Sequence, residues 1–386
     1  ALVAYHSQEV EDWRFSLMTI LPEISEQGKV NLRISNPKRY SFFLGPKAKV
    51  NTPKKYLINN GPVKDFDDLL SRFNIEIVTK EFFTQYRKLF DRLSEYLSKD
   101  HAFQSVAENA GFTTENFAKK LLGQIVFLYF VQRKGWLGAK ANDKISNGDP
   151  NFMRSLFSKS KDSSKNFFND YLEPLFYEGL NKRSERAGTF YREKFEGQIP
   201  FLNGGLFEPL ENYNWESSFL HIPDDIISSH PKNPERGEGI LDIFDLYNFT
   251  VDESDANDQE VSVDPEMLGK VFENLLDENL RKGKGTYYTP REIVHYMCRE
   301  SLVNYLTTNH SNITEVNIRS YLAQADGIYH GDFEAFRKGG ESFTFGQYAE
   351  LDSLLKNIKI VDPACGSGAF LIGMLQEIVK MRLFYN

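Results

Sequence analysis

VDPACGSGAF, residues Val361 to Phe370, decides the fold of the end of this chain. It follows the apolar run NIKI and precedes LIGMLQEIVKMRLF, so the sequence predicts a short strand, a tight turn over Pro363–Gly368 and a helix. This is the first unit of a doubly wound α/β sheet, in which ligands bind at the carboxyl ends of strands. The glycines allow close approach of a ligand, and the helix start offers it free N–H groups.

The spacing of the glycines excludes two phosphate-binding loops. A dinucleotide fold requires a third glycine where Leu371 stands, and a Walker loop requires a lysine that is absent. What remains is Asp362 at the strand end and two glycines flanking Ser367. This arrangement suits a ligand with an ammonium and a carboxylate, such as the methionine half of S-adenosylmethionine. Taken alone, an incidental glycine turn is the alternative.

A second motif, GTYYTPREIVHYM, precedes the first by about seventy residues. Thr289 and Pro290 have the composition of a helix start, because threonine caps helices and proline is favoured in the first turn. A hydroxyl beside a helix N-terminus favours a bound carboxylate. A plain capping role for Thr289 is compatible with cofactor contact.

In this order the two motifs resemble those of the amino-group DNA methyltransferases that modify adenine, in their γ-type arrangement. The stretches FLNGGLFEP, LYNFTVDES and DPEMLGKVFENLL are similar to the connector of large fused type II restriction–modification enzymes of the IIG kind. The resemblance is specific from Pro200 to Asn386 and thin before that. It implies S-adenosylmethionine as cofactor, held by Tyr288, Thr289, Pro290, Asp362, Pro363, Ala364, Cys365, Gly366, Ser367 and Gly368.

The resemblance also implies a substrate, double-stranded DNA with an adenine flipped out of the stack. The family's Asn-Pro-Pro-Tyr or Asp-Pro-Pro-Tyr loop, which accepts the target amine, is absent. The catalytic residues are therefore unknown, and we expect a fragment that ends just after the first cofactor motif. No Glu-x-Lys nuclease signature occurs, and Gln27 with Lys29 is no substitute. A nuclease site with Mg²⁺, if the protein has one, would precede Ala1.

Composition indicates a globular cytoplasmic protein, and the resemblance implies a bacterial one. Hydrophobic residues make up 41% and charged residues 26%, and two cysteines are too few for a disulfide framework. No leader or membrane-spanning run is apparent. The net charge of -8 limits DNA contact to local patches. Arg281, Lys282, Lys284 and Arg291 could form one, or could be a solvated helix end.

The chain divides by pattern into three regions of a multidomain α/β protein. Residues 1–80 form a strand-rich α+β region, which could be the tail of a nuclease-like domain. Residues 81–264 form a mainly helical connector, which includes a solvated acidic linker over Val251–Glu260. Residues 265–386 begin a class I, Rossmann-like methyltransferase domain.

Three side chains near the motifs have structural interpretations. His295 and Cys298 share a helix face, but with no second pair of ligands we expect core packing rather than a metal site. Cys365 is expected to be a small buried filler, because no His or Asp partner supports a nucleophile. Phe370 is expected to pack its helix.

The sequence therefore predicts a site-specific DNA adenine methyltransferase of a restriction–modification system, with or without a fused endonuclease. Two alternatives remain open. One is a methyltransferase that acts on RNA or on a protein glutamine. The other is a non-catalytic DNA-defence or scaffold subunit that keeps the fold.

Overall fold

The structure is a computed structural model of the 386-residue chain. It separates into two compact units, Ala1–Asp277 and Glu278–Asn386, which are described individually. The residues that it describes are 1–6, 11–20, 22–24, 30–34, 38–46, 48–183, 190–202, 205–250, 258–263, 289, 291–310, 313–329, 344–365 and 368–385.

A four-stranded sheet opens the first unit. Its strands are β1 (Leu2–His6), β2 (Trp13–Thr19), β5 (Lys38–Leu44) and β8 (Asp258–Glu260), in the order β1-β2-β5-β8. The first three are antiparallel, and β8 runs parallel to β5. Two smaller two-stranded sheets join β3 (Pro22–Ile24) to β4 (Val30–Ile34) and β6 (Tyr191–Arg192) to β7 (Gly197–Gln198).

Aromatic side chains attach the four-stranded sheet to the helices. Phe15 lies opposite Phe42 across β2 and β5, and both rings contact Phe73, with centroids 5.9 and 4.9 Å apart. Alternation along each strand places these rings on one face, which is the face that the helices cover. The strands expected within residues 1–80 are present as β1 to β5.

The other described residues of the first unit are mainly helical. Their α-helices are α1 (Asn51–Pro53), α2 (Phe66–Arg72), α3 (Ile75–Lys99), α4 (His101–Ala110), α5 (Thr114–Arg133), α6 (Phe152–Asp162), α7 (Asp224–Ile227) and α8 (Ile240–Phe244). Three π-helical segments join them, at Lys54–Asn59, Phe168–Leu172 and Leu175–Leu180. The three- and four-residue spacing of apolar side chains predicted α3, and its buried residues follow that spacing.

A buried network of ion pairs and hydrogen bonds connects helices of the first unit. Arg154 on α6 donates to Asp245 (2.7 Å) and Asp242 (3.1 Å), and Tyr129 on α5 donates to Asp245 (3.0 Å). Asp242 also accepts from the backbone N–H of Ser229 at 2.7 Å. Because each buried carboxylate is matched by several donors, its desolvation is compensated.

The described residues of the second unit form four helices: α9 (Arg291–Asn309), α10 (Glu315–Tyr329), α11 (Phe345–Asn357) and α12 (Ala369–Tyr385). Their shared core consists mainly of aliphatic side chains, among them Leu302, Leu306, Ile318, Leu351 and Met381. The helices predicted after Pro290 and after Gly368 are thus confirmed. In the part of the chain that the structure describes, no helix is long and apolar enough to cross a membrane.

Several expectations about local structure were wrong. Ile358–Asp362 is assigned to no strand, because no described segment pairs with it. Asp258–Glu260 is not linker but strand β8, and Val261 N donates to Ser41 O beside it at 2.8 Å. Helices begin at Asn51, well before residue 81. The connector-like stretch DPEMLGKVFENLL lies outside the described residues, and the placement of domain boundaries remains a proposal.

Candidate functional site

The glycine turn leads directly into α12. Ala364 N donates to Asp362 Oδ1 at 3.0 Å, and Gly368 N donates to Cys365 O at 2.7 Å. Ile372 N then donates to Gly368 O at 2.9 Å, which starts the helical bonding pattern. The predicted turn followed by a helix is therefore present. Gly366 and Ser367 lie outside the described residues.

Gly368 adopts a backbone conformation that favours glycine, with φ of +84°. A Cβ built at this position meets no heavy atom of the described residues within 4 Å. The requirement for glycine is therefore conformational, and the space in front of the turn is open to a ligand.

The helices α9 and α12 are in close contact. A Cβ added at Gly373 would lie 2.8 Å from Val294 Cγ1, and Arg299 Nε donates to Glu377 Oε2 at 2.7 Å. Val294 is three residues into α9 and Gly373 is four residues into α12, so the Gly373 contact lies within the first two turns of both helices.

This contact between the first turns brings the positive ends of two helix dipoles near each other. Arg291 begins α9 two residues after Thr289, and Ala369 begins α12 directly after Gly368. Thr289 is half-buried, whereas Tyr288 and Pro290 lie outside the described residues. Two helix starts side by side can favour an anionic group such as a carboxylate.

Asp362 presents a carboxylate oxygen to this region. Its Oδ2 atom is buried and receives no hydrogen bond within the described part of the chain. A buried acceptor without a donor costs free energy, which a ligand's ammonium or hydroxyl donor would recover.

A cleft of about 460 Å³ adjoins Asp362. Its lining is largely apolar and comes from α9, α12 and the extended segment between them: Met297, Cys298, Leu302, Tyr305, Ile358, Ile360, Val361, Phe370, Leu371 and Met374. Pro363 and the Asp362 carboxylate stand at its edge. An apolar cleft of this size with a few polar groups is typical of small-molecule sites.

The expectation for Cys365 was wrong, and the structure shows what His295 and Cys298 contact. Cys365 is exposed, because its turn lies at the surface of the unit, and it is not a buried filler. Cys298 is buried against α12, with its thiol 3.6 Å from Phe370 O, as expected of core packing. His295 instead contacts a carboxylate, with Nδ1 3.1 Å from Glu377 Oε1. Phe370 is half-buried and lines the cleft.

Other candidate residues receive no structural account. Arg281, Lys282 and Lys284 lie outside the described residues, as do the side chain of Arg291 and the Gln27–Lys29 segment. Among the described residues, no three His, Cys, Asp or Glu side chains are grouped in a way that could hold a metal ion.

Comparison with known proteins gives one informative relative. The chain is 29% identical over 339 residues to "Putative type II restriction enzyme and methyltransferase RM.MjaORFECS2P" of Methanocaldococcus jannaschii, covering 80% of this chain. It spans about a quarter of that relative's length, 26%. No family model and no solved structure matches the chain.

The similarity reaches further than the sequence motifs indicated. Residues from Pro200 to Asn386 make up less than half of the chain, whereas the relative matches 80% of it. The match therefore extends into the N-terminal region, where the motif resemblance is thin. It supports a restriction–modification methyltransferase in general.

Proposed function

We propose that this chain carries the connector and the first cofactor-binding part of an adenine-specific DNA methyltransferase of a restriction–modification system. The observation that carries the proposal is the contact between the first turns of α9 and α12, with Thr289 and Gly368 directly before the starts of these two helices. The relative's name supports the reaction class. Adenine specificity, the γ-type motif order and the Rossmann-like fold rest on the motif resemblance.

The residues fit S-adenosylmethionine in three respects. The unbonded Asp362 oxygen can accept a hydrogen bond from its ammonium. The open space at Gly368 admits its methionine portion, and the adjoining helix starts favour its carboxylate. When bound, this cofactor supplies an electrophilic methyl group on sulfonium.

The protein's own contribution in this region is binding and orientation. Asp362 would fix the amino end of the cofactor, and Thr289 with Tyr288 and Pro290 would close over its carboxylate. Pro363, Ala364, Cys365, Gly366 and Ser367 would form the wall of the loop. We assign no acceptor for the target amine, and we propose double-stranded DNA with a flipped adenine as the substrate.

Calorimetric titration of S-adenosylmethionine into the protein tests this proposal. Wild type should bind, and Gly368→Asp should weaken binding by roughly a hundredfold or more, because a second carboxylate would repel the cofactor's carboxylate. The variant should remain folded, since nothing lies within 4 Å of the new Cβ and aspartate tolerates positive φ better than most residues.

Gly346→Asp is the matched control. A Cβ added at Gly346 also meets no heavy atom within 4 Å, but this glycine lies in the first turn of α11, away from the glycine turn. The control variant should bind as wild type does. Unchanged affinity in Gly368→Asp would remove the turn from the cofactor site, and no binding by wild type would favour a non-catalytic scaffold.

A further inference from the structure

Charged side chains from three helices of the second unit meet around Glu377. Arg299 on α9 donates to Glu377 on α12 (2.7 Å) and contacts Asp326 on α10 (2.8 Å). Lys380 on α12 contacts the same two carboxylates, at 3.4 and 2.8 Å. His295 completes the group with its contact to Glu377. We call Arg299, Glu377, Lys380 and Asp326 the charge ring.

Glu377 is the buried centre of the charge ring. Its side chain is 1% exposed, so it depends on these donors rather than on water. Burial alone would raise its pKa, but the hydrogen bond from His295 and the charge of Arg299 outweigh burial and leave the pKa below its ordinary value. The carboxylate therefore stays ionised, and displacement from its partners would be costly.

On both helices of the candidate site, the charge ring lies the same number of residues after the helix start. Arg299 is eight residues after the start of α9 at Arg291, and Glu377 is eight residues after the start of α12 at Ala369. Each is therefore about 12 Å along its helix. Between the ring and the helix starts, the helices are in contact at Gly373 and Val294.

Apolar contacts alone specify the register of two helices weakly, because similar side chains recur at each turn. A charge pair is different. Sliding α12 by one turn, about 5.4 Å, would remove Glu377 from Arg299 and leave a buried carboxylate without its partner.

We propose that Glu377 and Arg299 are positioning residues that hold the starts of α9 and α12 next to each other. This inference rests on the proposed function, in which the neighbouring helix starts would place Thr289 opposite the glycine turn. Neither residue belongs to the motifs themselves. They act on the cofactor through the helices that carry those motifs.

Glu377→Gln tests the proposal, because it keeps the size of the side chain and removes its charge. Glu300→Gln is the matched control: Glu300 on α9 makes a two-contact ion pair with Arg319 on α10 (2.6 and 2.8 Å), which does not involve α12. Arg299→Lys is a milder variant, which keeps a cation but loses the fork of contacts.

The native reporter of helix register is Cys298, which is 2% exposed and packed against α12. Its rate of alkylation should rise roughly tenfold or more in Glu377→Gln and stay unchanged in Glu300→Gln. Glu377 also raises the pKa of this thiol, after the larger effect of burial. The rate is therefore measured as a pH profile, because loss of charge shifts the profile whereas helix separation raises its plateau.

Cofactor affinity provides the second measurement. S-adenosylmethionine should bind roughly tenfold or more weakly to Glu377→Gln, with far-ultraviolet circular dichroism unchanged, and normally to Glu300→Gln. If Glu377→Gln does not fold, the alkylation rate and the cofactor affinity are measured for Arg299→Lys instead. We expect smaller changes in the same direction. An unchanged plateau together with unchanged affinity in the folded variant overturns the proposal. Failure of wild type to bind the cofactor contradicts the proposed function alone, since the Cys298 plateau still decides the register.

Discussion

Glu173 lies in the core of the first unit and depends on one hydroxyl group. It is 1% exposed, and Tyr213 donates a hydrogen bond to it. Burial raises the pKa of Glu173 to about 8, against a smaller lowering by that hydrogen bond. The folded state therefore favours the protonated acid.

The sign of the pH dependence follows from this raised pKa. Below about pH 4.5, folded and unfolded states are both protonated and stability is not reduced. As the pH rises from there to about 8, only the unfolded state gains by ionising, so stability falls; above that range the loss is complete.

Glu173→Gln should abolish this loss. The variant should match wild type near pH 4 and be more stable above pH 8 by up to several kcal/mol, since each pKa unit corresponds to about 1.4 kcal/mol. Chemical denaturation followed by tryptophan fluorescence measures it, because Trp13, Trp136 and Trp215 all lie in the first unit. Glu216→Gln, at an exposed position, is the control, and an equal pH dependence in both variants would contradict the account.

At the scale of single residues, the sequence predicted which residue the turn requires better than it predicted the environment of each side chain. Gly368 could be predicted as essential to the turn, because few other residues adopt positive φ. The exposure of Cys365 could not, because a thiol is as common in a core as at a surface turn. Glu377 was missed altogether, since an acid within an apolar helix pattern gives no indication of its partners.

At the scale of elements, helices were predictable because their apolar spacing is local. The periodicity of α3 and α6 specified them without knowledge of the remaining fold. Strands were less predictable because they require partners. The apolar segment Ile358–Asp362 is unpaired within the described chain, whereas polar β8 pairs with β5 through main-chain contacts.

Gly373 lies at a close contact between α9 and α12, and its substitution tests their packing. Gly373→Ala would place a Cβ 2.8 Å from Val294 Cγ1 and 3.4 Å from Cys298 Sγ. Overpacking costs about 1–3 kcal/mol, which should exceed the gain of about 1 kcal/mol in helix propensity. We expect the second unit to unfold at a lower temperature.

A double-mutant cycle separates the clash from other effects of Gly373→Ala. Adding Val294→Ala should recover part of the loss, because it removes the methyl group that the new Cβ meets. Gly346→Ala, whose Cβ meets no atom within 4 Å, should be neutral or stabilising. Additive effects of the Gly373 and Val294 substitutions would contradict direct contact between these positions.

At the scale of the whole molecule, motif order predicted the class of protein that the relative supports. The extent of the similarity was underestimated, because the N-terminal region contains strands and helices without chemistry-bearing motifs. Division into Ala1–Asp277 and Glu278–Asn386 was also not predictable from composition, since the segments on both sides of the boundary have similar patterns. The chain spans 26% of the relative, so activity on DNA remains a proposal for the whole protein.

The central claim is that the turn ending at Gly368 holds S-adenosylmethionine, and protection of Cys365 from alkylation tests it most directly. Cys365 is exposed within the turn, while Cys298 is buried and serves as an internal reference. We predict that saturating S-adenosylmethionine slows modification of Cys365 by roughly tenfold or more and that adenosine triphosphate at the same concentration does not. An unchanged Cys365 rate under conditions where calorimetry shows the cofactor bound would place the cofactor elsewhere and contradict the account.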